Sequence, residues 1–243
     1  ATVTSIRKPM LEKFPIPIPP LPIQEEIVKI LDSFTELEQE LEQELEQELE
    51  LRKKQYEYYR NDLLTFGDEV EYKTLGEVCE KIVSGKNSLR ESNGIYPVYG
   101  STGVIAQTGR YVYNFDSILI ARVGANCGLV NKVSGKYDVS DNTLIVKTKE
   151  CYNNSFAYYQ LFNYNINKLA KGGGQPLITA GQLMKLKIPI PPLSEQERIV
   201  SILDKFDALV NDISIGLPAE IEARRKQYEY YRDKLLTFKK QES

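Results

Sequence analysis

The sequence predicts an α+β chain in which one mixed α/β domain is inserted between two long helices, each in need of a helical partner. Three observations carry this. Residues 16–66 recur as 188–238 at a constant offset of 172, with 30 of 51 positions identical. Each copy has the apolar spacing of a long helix. The residues between the copies change texture to short β-rich runs broken by glycine turns.

Each copy opens on a Pro-rich lead-in, Ile16-Pro17-Ile18-Pro19-Pro20-Leu21 and Ile188-Pro189-Ile190-Pro191-Pro192-Leu193. Proline locks φ and lacks an N–H, so both read as extended. The helix follows. In copy one Ile27, Ile30, Leu31, Phe34, Leu37 and Leu41 keep helical spacing, and in copy two Ile199, Ile202, Leu203, Phe206 and Leu209 match it. From about 24 to 66 the first helix would run roughly 64 Å. Such a stripe cannot bury itself alone, so the other copy is expected beside it, from the same chain or another. Leu37, Leu41, Leu45 and Leu49 are four apart, which makes the stripe wind by about 40° per step. Copy two carries Gly216 and Pro218 at this level, predicting a kink or a break. Both copies end on a tyrosine-rich stretch. Tyr56, Tyr58 and Tyr59, with Tyr228, Tyr230 and Tyr231, are expected to pack between helices.

Residues 67–187 form the inserted domain. Tyr111–Tyr113, Ser117–Ala121 and Thr143–Val146 read as strands, and about Ser155 to Leu169 as helix. Ser84-Gly85, Asn93-Gly94, Thr102-Gly103, Val123-Gly124 and Ser134-Gly135 read as turns. Its charge stands apart as well. The stretch Glu36–Leu51 holds eight Glu and no basic residue, which turns a net −3 into +5 for the remainder. Within 81–187, 13 Lys or Arg face five acids, among many Tyr and Asn. A basic module of this kind beside an acidic spacer points to a nucleic-acid surface.

Catalysis finds no support. With no His in 243 residues there is no imidazole base, no Ser–His or Cys–His pair and no imidazole metal ligand. Ser84-Gly85-Lys86-Asn87 fails as a phosphate loop, because Glu80 stands where glycine is needed and Asn87 where Ser or Thr is. Asp116, Asp138 and Asp141 match no metal-ligand spacing and read as turn or strand-end residues. No cofactor and no metal are expected. Cys79, Cys127 and Cys151 form no C-x-x-C pair, and no apolar run approaches the roughly 20 residues of a membrane span, so the expectation is a reducing cytoplasm without a membrane partner. DNA contact fits better. Lys86, Arg110, Arg122 and Lys171 lie in or beside Gly-rich turns where long cations can reach phosphate. Ser101, Thr102, Arg122, Asn126 and Gln175 can address base edges. A turn or capping role competes for each.

The order of motifs then points to a family. A lead-in "IPIPPLSEQERIVSILDKFD", a helix ending "RRKQYEYYRDKLLTF", and a domain carrying "YPVYGSTGVI", "ILIARVGANCG", "VSDNTLIV" and "KGGGQPLI" closely resemble the DNA-specificity subunit of bacterial or archaeal Type I restriction–modification systems. The resemblance implies a target-recognition domain at 67–187 that reads one half of a bipartite site in double-stranded DNA. It implies that 16–66 and 188–243 supply spacer helices in an antiparallel coiled coil. These would dock the modification (methyltransferase) subunits, with restriction subunits joining through the complex. Family members carry two recognition domains. Here residues 1–15 align with 173–187 and read as the tail of a preceding one, so the chain reads as a half-subunit. A homodimer is expected, built on Ile27, Leu31, Phe34, Leu37, Leu41, Leu45, Tyr56 and Tyr59 with Ile199, Leu203, Phe206, Tyr228 and Tyr231. The competing reading is a coiled-coil scaffold whose inserted domain binds protein.

Overall fold

A computed structural model describes residues 8, 12, 15–87, 94–172, 176–211 and 217–238. The chain divides into two compact units, Lys54–Asp207 and the pair of segments Ala1–Lys53 and Ala208–Ser243. Helix α1 (Leu21–Leu64) and helix α5 (Leu193–Asn211) each run across the division, while α6 (Leu217–Leu236) lies within the second unit.

Helix α1 starts three residues earlier than its spacing predicts. Pro22 falls in the first turn, where a missing N–H leaves nothing unpaired and a fixed φ suits the helix. Residues 15–20 ahead of it form no regular structure. Copy two is split into α5 and α6, at the place where Gly216 and Pro218 predict an interruption; Gly216 itself lies outside the described residues.

In the smaller unit α1 and α6 meet through side chains. Phe34 stacks on Tyr231 with centroids 6.0 Å apart, Thr35 Oγ1 lies 3.0 Å from Tyr228 Oη, and Arg225 pairs with Glu42. Leu45 is buried, and Ile27, Leu31 and Leu41 are half-buried. Phe34 and Leu37 keep 42% and 63% of their surface exposed. A stripe with four-residue spacing winds around its helix, so one neighbouring helix covers only part of it.

The larger unit holds the inserted domain. Strands β1 (Tyr72–Thr74) and β10 (Lys187–Pro189) pair antiparallel, with a one-turn helix α2 (Leu75–Val78) between β1 and β2. A four-stranded sheet has the order β2 (Cys79–Ser84), β9 (Thr143–Thr148), β6 (Ser117–Ala121), β7 (Val130–Val133). A second has the order β4 (Gly103–Thr108), β3 (Tyr96–Gly100), β8 (Lys136–Val139), β5 (Tyr113–Asn114). Every residue of β6 is buried: Ile118–Ala121 are apolar, and the Ser117 hydroxyl shares a hydrogen bond with Tyr137 Oη at 2.6 Å. Leu119, Val133, Tyr137, Val139 and Ile145 form a core on which Tyr99, Tyr113 and Phe115 pack. Two expected elements are revised. Only Tyr113 of the 111–113 run enters a strand, because the Tyr111 ring instead packs against Tyr96, 5.1 Å away. The 155–169 helix ends as α3 (Asn154–Tyr164), where Asn165 takes a left-handed φ of 56°, and resumes as a 3-10 turn over Ile166–Leu169.

The internal repeat returns in the contacts. Within the larger unit Phe206 stacks on Tyr59 at 5.6 Å, and Asp207 Oδ1 lies 3.5 Å from Tyr56 Oη. These are the positions of Phe34, Tyr231, Thr35 and Tyr228 related by 172, so each unit repeats the contact set, with the Asp207 carboxylate standing where Thr35 presents a hydroxyl. Other repeated positions differ in burial. Ile199 and Leu203 are buried where Ile27 and Leu31 are half-buried. Gln196 accepts from Asn153 N at 2.7 Å, and Asp204 accepts from Tyr159 Oη at 2.5 Å and pairs with Lys132 at 3.5 Å. The counterpart Gln24 repeats the Gln196–Pro191 bond to its own Pro19, and the counterpart Asp32 is exposed. The domain is thus fastened to α5 by residues that α1 also carries.

Candidate nucleic-acid interface

Strand direction decides which loops meet. Strand β9 is antiparallel to both β2 and β6, and β3 is parallel to β8, with Tyr99 opposite Val139. The C-terminal ends of β2, β3, β6 and β8 are therefore brought to one edge of the domain, together with the start of β9. The residues just beyond those ends are Lys86, Ser101, Arg122 and Ser140.

Backbone bonds tie this edge together. Asn87 N donates to Val139 O at 2.9 Å, Gly85 N to Thr143 O at 3.0 Å, Ser140 N to Tyr99 O at 2.9 Å and Arg122 N to Asn142 O at 3.0 Å. Gly85 is required by close approach: a Cβ there would lie 2.3 Å from the carbonyl oxygens of Val139 and Ser140. Asp138 is buried and accepts from Asn87 Nδ2 at 2.5 Å and from Val139 N at 2.8 Å, so it fixes the loop that carries Lys86. The Ser101-Thr102 turn closes β3 onto β4 between Gly100 and Gly103, the latter at a φ of 96°.

The second half of the edge is stitched through Leu177. Ile178 N donates to Arg122 O at 2.8 Å, and Leu177 bridges both Val123 and Lys171. Asn126 is exposed on the turn that follows Gly124, where Cys127 Sγ donates to Arg122 O at 3.3 Å, and burial pushes that thiol's pKa up. Arg122 is thereby held through both backbone groups, and its Nη1 rests 3.5 Å from Asp141 O. Buried polar atoms at the edge keep unused capacity: among the described residues Arg122 Nε, Asn87 Oδ1, Ser140 Oγ and Thr143 Oγ1 have no hydrogen-bond partner.

Of the residues singled out from sequence, Lys86, Ser101, Thr102, Arg122, Asn126 and Lys171 fall on this edge, and Gln175 lies outside the described residues. Arg110 is placed elsewhere. Strand β4 runs away from the Ser101-Thr102 turn, so its far end lies about 17 Å off at some 3.3 Å per residue. There Arg110 follows Thr108, whose partner Tyr96 begins β3. The exposed Asp141 and Asn142 also belong to the edge, and no local sequence pattern marks them for it. The register that brings 139–143 between β2 and β6 is a tertiary fact.

The family model described as a Type I restriction modification DNA specificity domain matches residues 1–51 and 67–223. The specificity subunit of the Type I restriction enzyme EcoprrI from Escherichia coli is 40% identical over 219 residues, covering 84% of this chain and 55% of that protein. A putative Type I specificity subunit from Mycoplasma pneumoniae is 31% identical over 94% of this chain and 98% of its own length. The crystal structure of the HsdS subunit from Thermoanaerobacter tengcongensis superimposes with a TM-score of 0.60 at 21% identity, covering 91% of this chain and 60% of that one. The chain thus spans little more than half the length of the Escherichia coli relative.

Proposed function

Because the chain belongs to the Type I restriction–modification DNA specificity family, we propose that it reads one half of a bipartite site in double-stranded DNA and performs no catalysis itself. One observation supports this reading: Lys86, Ser101, Thr102, Arg122, Asn126 and Lys171, cations and amide or hydroxyl side chains in or beside turns, meet on one edge of the domain 67–187. Lys86 and Lys171 neutralise phosphates and set register. Arg122, with its backbone fixed on both sides, offers its guanidinium to a guanine edge, and Asn126 offers its amide to adenine. Methylation and cleavage come from the modification and restriction subunits of the complex.

The helices 16–66 and 188–243 act as an antiparallel coiled coil. This is supported by contacts that run in opposite order, Phe34, Thr35 and Glu42 against Tyr231, Tyr228 and Arg225. The exposed faces of Phe34 and Leu37 serve a second copy of the chain or the modification subunit. A homodimer restores two recognition domains and makes the site an inverted repeat. The Gln24–Asp32 segment, which repeats the residues that fasten the domain to α5, supports a design for two such domains per complex.

Competition binding tests the reading. Binding to duplex DNA should weaken steeply with salt and yet retain a preferred sequence over random competitor. Salt-sensitive binding without any preference, with the modification subunit present, would favour the scaffold reading. Light scattering at micromolar concentration should give twice the chain mass, and a monomer would remove the homodimer.

A further inference from the structure

A second basic surface adjoins the loop edge. A cleft of about 760 Å³ opens beside Lys171 and is lined by Lys168, Lys185 and Lys187, with Tyr164 at its rim and Gln182 in its wall. Lys168 lies within the 3-10 turn, Lys185 is the C-cap of helix α4 (Ala180–Met184) and Lys187 starts β10. All four lysines are exposed, and no ion pair among the described residues engages any of them.

The walls are built, not loose. Gln182 Nε2 donates to Leu169 O at 2.7 Å and its Oε1 accepts from Thr179 N at 2.8 Å, which joins the 3-10 turn to α4. Gly128 lets the Arg122–Asn126 loop close on that turn, since a Cβ there would stand 2.4 Å from Asn167 N. The cleft is continuous with the loop edge through the Lys171–Leu177–Val123 bridges. Four uncompensated ammonium groups in one groove produce a strong local positive potential. Their chemistry suits a polyanion with regularly spaced charges, and ammonium groups bind phosphate as point charges without reading bases.

We propose that this cleft carries the phosphate backbone of the DNA duplex beyond the bases met by Arg122 and Asn126, contributing affinity that does not depend on sequence. The proposal rests on the reading that the loop edge binds DNA. An acidic protein surface is the rival occupant, and the test separates it.

The experiment measures anisotropy of a fluorescein-labelled 30-base-pair random-sequence duplex with the full chain across a potassium chloride series. Each phosphate contact contributes about 0.9 to the slope of log K against log salt. The variant Lys168→Gln/Lys185→Gln/Lys187→Gln should flatten that slope by about 2.7, and the corresponding triple Arg variant should restore it. Preference for a selected site over random DNA should stay within about twofold. If the triple variant loses its circular dichroism spectrum, the three single Gln variants should each lower the slope by about 0.9. A folded triple variant with an unmoved slope overturns the cleft and leaves the lysines to an acidic protein partner. Absence of any salt-dependent duplex binding by the unaltered chain overturns the underlying DNA reading as well, so the two failures are distinguishable.

Discussion

Asp204 on α5 offers a quantitative test of how the domain is fastened to its helix. Its Oδ1 accepts from Tyr159 Oη at 2.5 Å and lies 3.5 Å from Lys132 Nζ. Tyr159 is 1% exposed, and burial together with the Asp204 bond drives its phenol pKa far above the ordinary value. Asp204→Ala leaves that buried hydroxyl without its acceptor, at about 1–3 kcal/mol. Loss of the largely exposed Lys132 pair adds at most about 1 kcal/mol. The expected total is about 1–4 kcal/mol. Tyr159→Phe in the same chain removes the orphaned hydroxyl, so the double variant should regain about 1–2 kcal/mol relative to Asp204→Ala alone. Urea unfolding followed by tyrosine fluorescence and far-ultraviolet circular dichroism measures all four members of the cycle. An Asp204→Ala protein within about 0.5 kcal/mol of the unaltered one would show that this bond does not fasten the domain, as would a double variant less stable than Asp204→Ala.

Three further outcomes are expected. Tyr56 and Tyr137 are pushed up to about 12 by burial, and Tyr152 and Tyr158 are raised for the same reason. The folded chain then keeps protons that the unfolded chain releases near pH 10. Stability should hold below pH 10 and fall toward pH 12 by about 1.4 kcal/mol per pH unit for each of Tyr56 and Tyr137, with Tyr152 and Tyr158 acting in the same direction. Urea midpoints at pH 8, 10 and 11 check this, and a flat profile contradicts it. Gly124 and Gly128 both have positive φ, of 76° and 94°, but only Gly128 faces backbone, at 2.4 Å. Gly124→Ala should cost about 1–2 kcal/mol, and Gly128→Ala about 1–3 kcal/mol more; equal unfolding midpoints would show that the contact is relieved cheaply. Arg122→Glu should weaken binding to the selected DNA site by at least about tenfold, the cost of one lost base-edge pair. Its mass by light scattering should not change, and unaltered affinity would remove Arg122 from the interface.

Local chemistry made much of this fold legible. The prolines of each lead-in, the apolar spacing from Ile27 to Leu41 and the buried run Ser117–Ala121 each dictate one conformation with little help from distant residues. The repeat made a shared contact set foreseeable, and the Phe34–Tyr231 and Phe206–Tyr59 stacks belong to it. Strand pairing was not legible. That β3 lies parallel to β8, and that 139–143 falls between Gly85 and Arg122, depends on register between segments far apart in the chain. For the same reason sequence alone does not reveal that Asp141 and Asn142 belong to the loop edge, or that the direction of β4 separates Arg110 from it. Asn165 ended a helix that its neighbours would have continued, because asparagine tolerates the left-handed turn that redirects the chain toward Lys168. The lysines of the cleft were countable as charge, but only the meeting of α4, β10 and the 3-10 turn makes them one surface.

Sequence readout is proposed for the edge formed by Lys86, Ser101, Thr102, Arg122, Asn126 and Lys171. The most direct measurement is selection from a random duplex library by the full chain, with and without a cognate modification subunit, followed by sequencing of the retained molecules. A defined half-site is expected, arranged as an inverted repeat with a fixed gap when two copies pair. A retained pool indistinguishable from the input library, with the modification subunit present, would contradict it.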